Sequence, residues 1–475
     1  MLRLRFGIAV LAGGMLFAGG CSKEPVTVNA SIVIPEGEKD PAVWGKKYPH
    51  HYDSYLKNKE RTQGYSKYRN DNEDRIGPWP FQFILWDGWG MGVEYNEPNG
   101  HIDMLRDQIA VDPSRKKAGG VCLTCKSPYV PELKEKLGVD YFRKPYEEIR
   151  AQIPEKHREM GLVCIDCHDP KTQELRLSRW TLKEALRAIG KEEGKITRQE
   201  MRSLVCAQCH VTYSISKDAE GKSTYVKFPW AKGQWGNISI EAVIKQIKDK
   251  EEHLLEWKHK PTDQKLGHIR HPEFELFSAP GSVHWAAGVA CADCHMPYER
   301  VGQSKISSHR WQSPLRGNMK PCLQCHNQSQ EWLKQQVLNI QDRTNHMFTK
   351  AGYAVARAAL TIEQAIKTPG VDAKALAKAK DIYHEAYLRN TWIGAENSMG
   401  FHNPPEAMRV LGDALDQGRQ AEIIAREAIL KAKGTPKEFD MAAIDAVVKE
   451  RYASKDGKTG FRANVPKKAA LLGDR

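Results

Sequence analysis

The residues in this chain that can do chemistry are its cysteines, and their spacing is regular. Five pairs follow the pattern Cys-x-x-Cys: Cys122 and Cys125, Cys164 and Cys167, Cys206 and Cys209, Cys291 and Cys294, Cys322 and Cys325. In four of them the next residue is histidine (His168, His210, His295, His326), and in the first it is Lys126. Ten of the eleven cysteines are used this way, which leaves Cys21. Structural zinc takes two such pairs per metal, which five pairs fit poorly, and zinc gives no reason for a histidine after each second cysteine. A disulfide framework would vary its spacings more. Cys-x-x-Cys-His is the attachment signature of c-type haem, in which the thiols bond the porphyrin vinyl groups and the histidine ligates iron. The expected cofactor load is five haems c.

Four like sites and one variant read as a wire and a reactor. A lysine ligates only when deprotonated, which metal binding and desolvation can bring about. Lys126 is then the proximal ligand of a haem whose other face is open to substrate. The alternative is a surface lysine beside a haem ligated by another group. Electron-transfer haems take a second axial ligand, which keeps small molecules off the iron. Thirteen histidines outside the motifs are available for that role, and position alone does not choose among them.

The elements that must position these groups divide the chain into four stretches. Residues 1–20 read as an export signal, with Arg3 and Arg5 before an apolar run from Phe6 to Phe17. The run is shorter than the roughly 20 residues of a membrane span. Ala18-Gly19-Gly20-Cys21 has the small residues and cysteine of a lipoprotein site, so the expectation is a periplasmic protein, with anchoring through a lipidated Cys21 as one form of it. Residues 21–40 are a polar tether. Residues 41–330 form the pentahaem region. Its first part, to Gly100, is rich in Trp, Tyr, Pro and Gly (Trp79, Trp86, Trp89) and is expected to be irregular and to wrap cofactors. Each Cys-x-x-Cys-His puts its thiols and ligand on one helical face. Residues 331–475 turn to long helices: 371–396 is rich in Ala and Lys, and Val410, Leu411, Ala414 and Leu415 form a stripe after an Asn403-Pro404-Pro405 start. The fold class is mainly α, a multihaem cytochrome c fold with irregular haem-wrapping segments and long C-terminal helices. The formal charge of +13 is largely offset by about ten haem propionate charges, so it does not imply a nucleic-acid partner.

From about Trp44 to about Leu411 the chain resembles the pentahaem, ammonia-forming cytochrome c nitrite reductases. The resemblance is carried by the Cys-x-x-Cys-Lys site followed by Ser127-Pro128 and by the four His sites in order. The contexts Cys206-Ala-Gln-Cys-His-Val-Thr-Tyr213, His271-Pro-Glu and Gly400-Phe-His-Asn-Pro404 also match. It implies His309, His101, His402 and His284 as distal ligands of the second to fifth haems. It also implies an Arg, a Tyr and a His over the open iron face, which match Arg115 (with Arg106 as the alternative), Tyr213 and His271. The implied reaction takes nitrite to ammonium with six electrons and eight protons, with hydroxylamine and sulfite as side substrates. The implied donor is a membrane-bound multihaem quinol dehydrogenase, and the implied assembly is a homodimer built on the long helices. A substrate-free electron conduit is the competing reading. A relative of the octahaem tetrathionate reductases is a third, which five motifs argue against.

One departure from the family is chemical. Many members hold calcium beside the active site with a Glu before the Tyr and a Gln before the His. Here those positions are Thr212 and Arg270. Thr212 brings no charge, and Arg270 brings a cation with no acceptor atoms. The expectation is that calcium is absent and that the Arg270 guanidinium takes its position and supplies its positive charge.

Overall fold

The computed structural model describes residues 27–61, 64–68, 74–92, 95, 100–110, 119–249 and 256–452. The export signal, Cys21, the start of the tether, Arg115 and the chain beyond Tyr452 lie outside the described residues.

Four helices dominate the C-terminal part: Gln330–Lys367 (38 residues), Ala373–Ala395 (23), Pro404–Lys431 (28) and Met441–Tyr452 (12). Their starts are chemically marked. The side chains of Ser329, Asp372 and Asn403 accept from the backbone amides of Trp332, Ala375 and Glu406, which satisfies donors with no partner inside the helix. Pro404 follows its cap at the position where a missing N–H costs nothing. Val410, Leu411 and Ala414 are fully buried between these helices, as the stripe requires.

The aromatic segment before residue 100 divides between two roles. Trp44, Tyr48, Tyr52, Tyr55 and Trp89 line the central cavity, as expected of a cofactor wrapper. Trp79 and Trp86, however, belong to the core of the helical bundle, together with the short helix Phe81–Leu85, whose five residues are all buried. The bundle makes room for it at Gly352, where a Cβ would lie 2.2 Å from the Phe81 ring. This stretch therefore fastens the cavity-lining region to the long helices.

Among the described residues, β-structure is three antiparallel two-stranded hairpins: Ser214–Lys217 with Ser223–Lys227, Trp257–His259 with Gln264–Leu266, and Tyr298–Val301 with Ser304–Ser307. The first follows Tyr213 directly and the second precedes Arg270, so both adjoin loops that carry candidate site residues. The haem region has several small apolar clusters rather than one core. That is the arrangement expected where cofactors supply much of the apolar contact.

Candidate haem and substrate site

One connected cavity of about 2820 Å³ runs through the molecule, and all ten paired cysteines line it. It is several times the roughly 300–1,000 Å³ of an ordinary ligand pocket. None of the ten cysteines is in a disulfide. Each His motif closes into a turn: the amides of His168, His210 and His326 donate to the carbonyls of Cys164, Cys206 and Cys322 at 2.9, 2.9 and 2.8 Å, and Cys291–His295 is helical. The Lys126 motif closes more tightly, with Lys126 N donating to Leu123 O at 2.7 Å.

The motifs adjoin one another. The Cys209 thiol reaches Cys125 O at 3.6 Å, bringing the third motif against the first. Arg179 ties the first to the second. Its guanidinium donates to Thr124 O and Ser127 O at 2.9 Å each, on either side of Cys125-Lys126, and to Asp166 Oδ1 at 2.6 Å inside Cys164-Ile-Asp-Cys167. Gln208, inside the third motif, accepts from Ser178 N and Arg179 N and donates to Asp166 O.

Four pairs of imidazoles face each other across the cavity. His168 and His309 have ring centroids 6.1 Å apart, His101 and His210 5.7 Å, His295 and His402 6.3 Å, and His284 and His326 6.4 Å. The Nε2 atoms of His101 and His210 are 3.5 Å apart, so the two rings point the same atoms at each other. These are the four pairings implied by the family resemblance. Burial pushes His101 and His309 down to about 3 and His295 down to about 4, so each is neutral, the form that ligates. The Nδ1 atoms of His168, His295 and His309 lie 2.7, 2.9 and 2.9 Å from the carbonyls of Gln173, Gln312 and Ser307. That bond puts the proton on Nδ1 and leaves Nε2 to the cavity. Thiols, apolar walls and oriented neutral imidazoles fit haem c.

Around the first motif the polar groups are different. Lys126, Tyr213, Arg270 and His271 line the cavity, Tyr213 packs on the same apolar cluster as Cys122, and the His271 ring lies 6.2 Å from that of His210. Burial raises the Tyr213 phenol, so it stays protonated as a donor. His271 adopts φ 48°, a left-handed backbone that a non-glycine residue enters at a cost, and such conformations cluster at functional sites. Arg106, the alternative arginine, is paired with Glu159 at 3.2 Å and is absent from the cavity lining.

Arg270 is directed inward. Its side chain is 11% exposed and forms a two-pronged pair with Glu256, at 2.9 and 2.5 Å, while Glu256 is 5% exposed. Nη1 also approaches Tyr213 O at 3.5 Å and His268 O at 3.4 Å, and the guanidinium stacks on the Tyr213 and Trp89 rings. Arg270 N donates to Thr212 Oγ1 at 3.3 Å. Burial works against the Arg270 charge, and the Glu256 carboxylate outweighs it and raises the guanidinium further. The positive charge expected of Arg270 is paired with the Glu256 carboxylate.

Sequence reasoning missed the buried carboxylates. Glu273 Oε2 is 3.6 Å from His210 Nδ1 and its Oε1 is 3.8 Å from His271 Nδ1, and Glu396 Oε1 is 2.5 Å from His402 Nδ1. Glu273 had a local signal, its place in His271-Pro-Glu. Glu256, Glu396 and Arg179 had none.

The chain matches the cytochrome c552 family over residues 40–470. It is 32% identical over 417 residues to cytochrome c-552 of Maridesulfovibrio salexigens, covering 84% of this chain and 78% of that protein. It is 31% identical over 456 residues to the cytochrome c nitrite reductase subunit NrfA of Nitratidesulfovibrio vulgaris, covering 90% and 86%. Its fold superposes on the cytochrome c nitrite reductase of Desulfovibrio desulfuricans with a TM-score of 0.75 at 31% identity, covering 84% of this chain and 89% of that one. The catalytic subunit of that enzyme has two calcium sites.

Proposed function

This chain belongs to the cytochrome c552 family, and on that premise we propose that it reduces nitrite to ammonium at a Lys126-ligated haem c fed by four bis-histidine haems. The observation that carries the reading is the contrast between the motifs inside one cavity. Each of the four His motifs faces a second imidazole, whereas among the described residues the lysine motif faces none and shares its cavity with Tyr213, His271 and Arg270. A conduit has no use for that difference.

The residues divide the work by chemistry. Cys122 and Cys125 tether the active haem and Lys126 ligates it. His168 with His309, His210 with His101, His295 with His402, and His326 with His284 hold the other four. When bound, the haems supply the electrons and the iron at which nitrogen is reduced. His271 orients the nitrite anion by hydrogen bonding, and Tyr213 donates a hydrogen bond to a leaving oxygen. Arg115 is the family's choice for the remaining cation. Eight protons per nitrite pass through such donors, and two oxygens leave as water. Hydroxylamine and sulfite fit the same site as side substrates.

Arg270 takes the place of calcium. Support comes from the donor set, in which the guanidinium lies among the Tyr213 and His268 carbonyls and the Glu256 carboxylate, oxygens that suit a cation. The protein is periplasmic, works as a homodimer through its long helices and takes electrons from a membrane-bound multihaem quinol dehydrogenase. These points rest on the family resemblance.

The test is ammonium formed per nitrite consumed by purified holoprotein with a reduced viologen donor. One ammonium per nitrite, lost in Lys126→Leu with haem content unchanged, is the expected result. Electron uptake without nitrite consumption would leave a conduit.

A further inference from the structure

We propose that Glu396 and Glu273 set the potentials of the fourth and third haems, making them stronger reductants than the second, by holding a carboxylate against Nδ1 of an axial histidine. This rests on the ligand assignment above.

The argument begins with what each axial imidazole has behind it. On the second haem both rings are backed by neutral backbone carbonyls: His168 by Gln173 O at 2.7 Å and His309 by Ser307 O at 2.9 Å. On the fourth, His295 is backed by Gln312 O at 2.9 Å, but His402 lies 2.5 Å from Glu396 Oε1. Glu396 is fully buried, and its two oxygens accept from Ser398 N at 2.8 Å and Gly400 N at 3.1 Å. Those amides fix the carboxylate as an acceptor facing the ring. On the third haem, His210 Nδ1 is 3.6 Å from Glu273 Oε2, and Asn397 N holds the other oxygen at 3.2 Å. One short segment, Glu396-Asn397, therefore supplies one carboxylate and anchors the other.

A carboxylate beside Nδ1 makes an imidazole a stronger electron donor through Nε2 than a neutral carbonyl does, in close contact at His402 and through its charge alone at 3.6 Å from His210. Extra donation stabilises ferric over ferrous iron and lowers the potential, and a buried setting strengthens the effect. The contact is shorter at His402 than at His210, so the fourth haem carries the larger effect. Glu273 has a second consequence. It is also 3.8 Å from His271 Nδ1, so the third haem and the substrate-binding histidine share one buried anion.

The experiment is a spectroelectrochemical titration of the holoenzyme, with EPR to count low-spin haems, on the parent, Glu396→Gln, Glu273→Gln and His402→Gly. Glu396→Gln is expected to move one low-spin haem to higher potential and leave the others in place. Glu273→Gln is expected to move a different one, by less, and to raise KM for nitrite. The two variants are independent, so failure of one to fold leaves the other decisive. His402→Gly is expected to turn one low-spin haem high-spin. If it does, and neither Gln variant moves a potential, the ligation stands and the role of the carboxylates is overturned. If His402→Gly leaves every low-spin haem unchanged, the ligand assignment falls and this proposal falls with it.

Discussion

Replacing Arg179 with methionine tests how the lysine site is held. Arg179 is 1% exposed and Asp166 is 2% exposed. The guanidinium bonds Thr124 O, Ser127 O, Asp166 Oδ1 and Ser178 Oγ. Methionine fills much of the same space and makes none of these bonds. Breaking a buried pair from one side costs about 3–5 kcal/mol, because a charge is stranded. The Thr124 carbonyl, which loses its partner, adds about 1–3 kcal/mol less whatever relaxation returns, whereas Ser127 O keeps the Val130 amide at 3.3 Å. The expected loss is about 4–7 kcal/mol, read from urea unfolding followed by both haem absorbance and far-UV circular dichroism. Adding Asp166→Asn removes the stranded charge while leaving an oxygen for the Val163 amide that Asp166 Oδ2 accepts at 2.9 Å. The double variant should therefore be more stable than Arg179→Met alone by about 2 kcal/mol. The folded fraction of the single variant should also show a disturbed lysine–haem spectrum, since two of the lost bonds flank Lys126. A loss below about 1 kcal/mol, or a double variant no better than the single, would refute the reasoning.

Three further outcomes follow from separate features. Thr212→Glu with Arg270→Gln should convert the Arg270 site into one that retains stoichiometric calcium after chelator washing, measured by metal analysis, whereas the parent retains none there. Burial pushes the Glu275 carboxyl up from 4.5 to about 8, against the pull of Trp230 Nε1 and Thr212 N, which both donate to it at 2.9 Å. Between those values the folded protein keeps a proton that the unfolded chain releases, so stability falls as pH rises from about 4.5 to about 8 by up to about 1.4 kcal/mol per unit. Glu275→Gln should flatten that part of a melting-temperature profile while matching the parent below pH 5. Gly352→Ala would set a methyl against the Phe81 ring, and overpacking of this kind costs about 1–3 kcal/mol, visible as a lower thermal midpoint.

How far the site was legible depended on sequence distance. The thiols and proximal ligands lie within five residues of one another, so local spacing identified them. The distal histidines do not. His309 lies 141 positions beyond its partner and His101 109 positions before its own, and only the family resemblance selected them. The structure brings His309 within 6.1 Å of the His168 ring and His101 within 5.7 Å of the His210 ring. No local pattern marks Glu396 as a partner of His402 or Arg179 as the clamp on the lysine loop, because a buried charge looks the same in sequence as a solvated one. The fold showed the same limit. Apolar stripes and caps announced the long helices, whereas the aromatic richness of residues 41–100 did not reveal that Trp79 and Trp86 turn toward the bundle and Trp89 toward the cavity.

On the proposal that Arg270 takes the calcium position, its contacts define what a side chain would and would not replace in a metal ion. Calcium brings two charges and several ligand positions. The guanidinium brings one charge, a planar fork of donors and no exchange with solvent. Its fork is occupied by Glu256 and its edge reaches the carbonyls of Tyr213 and His268. The loop carrying Tyr213 is thereby tied to the loop carrying His271, which is the mechanical part of an ion's role. The electrostatic part is not transferred, since Arg270 and Glu256 together are neutral. On the same proposal, attraction of an anionic substrate falls on the groups proposed to touch it, His271 first among them. Neutralising His271 should accordingly raise KM for nitrite more steeply here than in a calcium-bearing relative, and that comparison at matched ionic strength separates anchoring from charge.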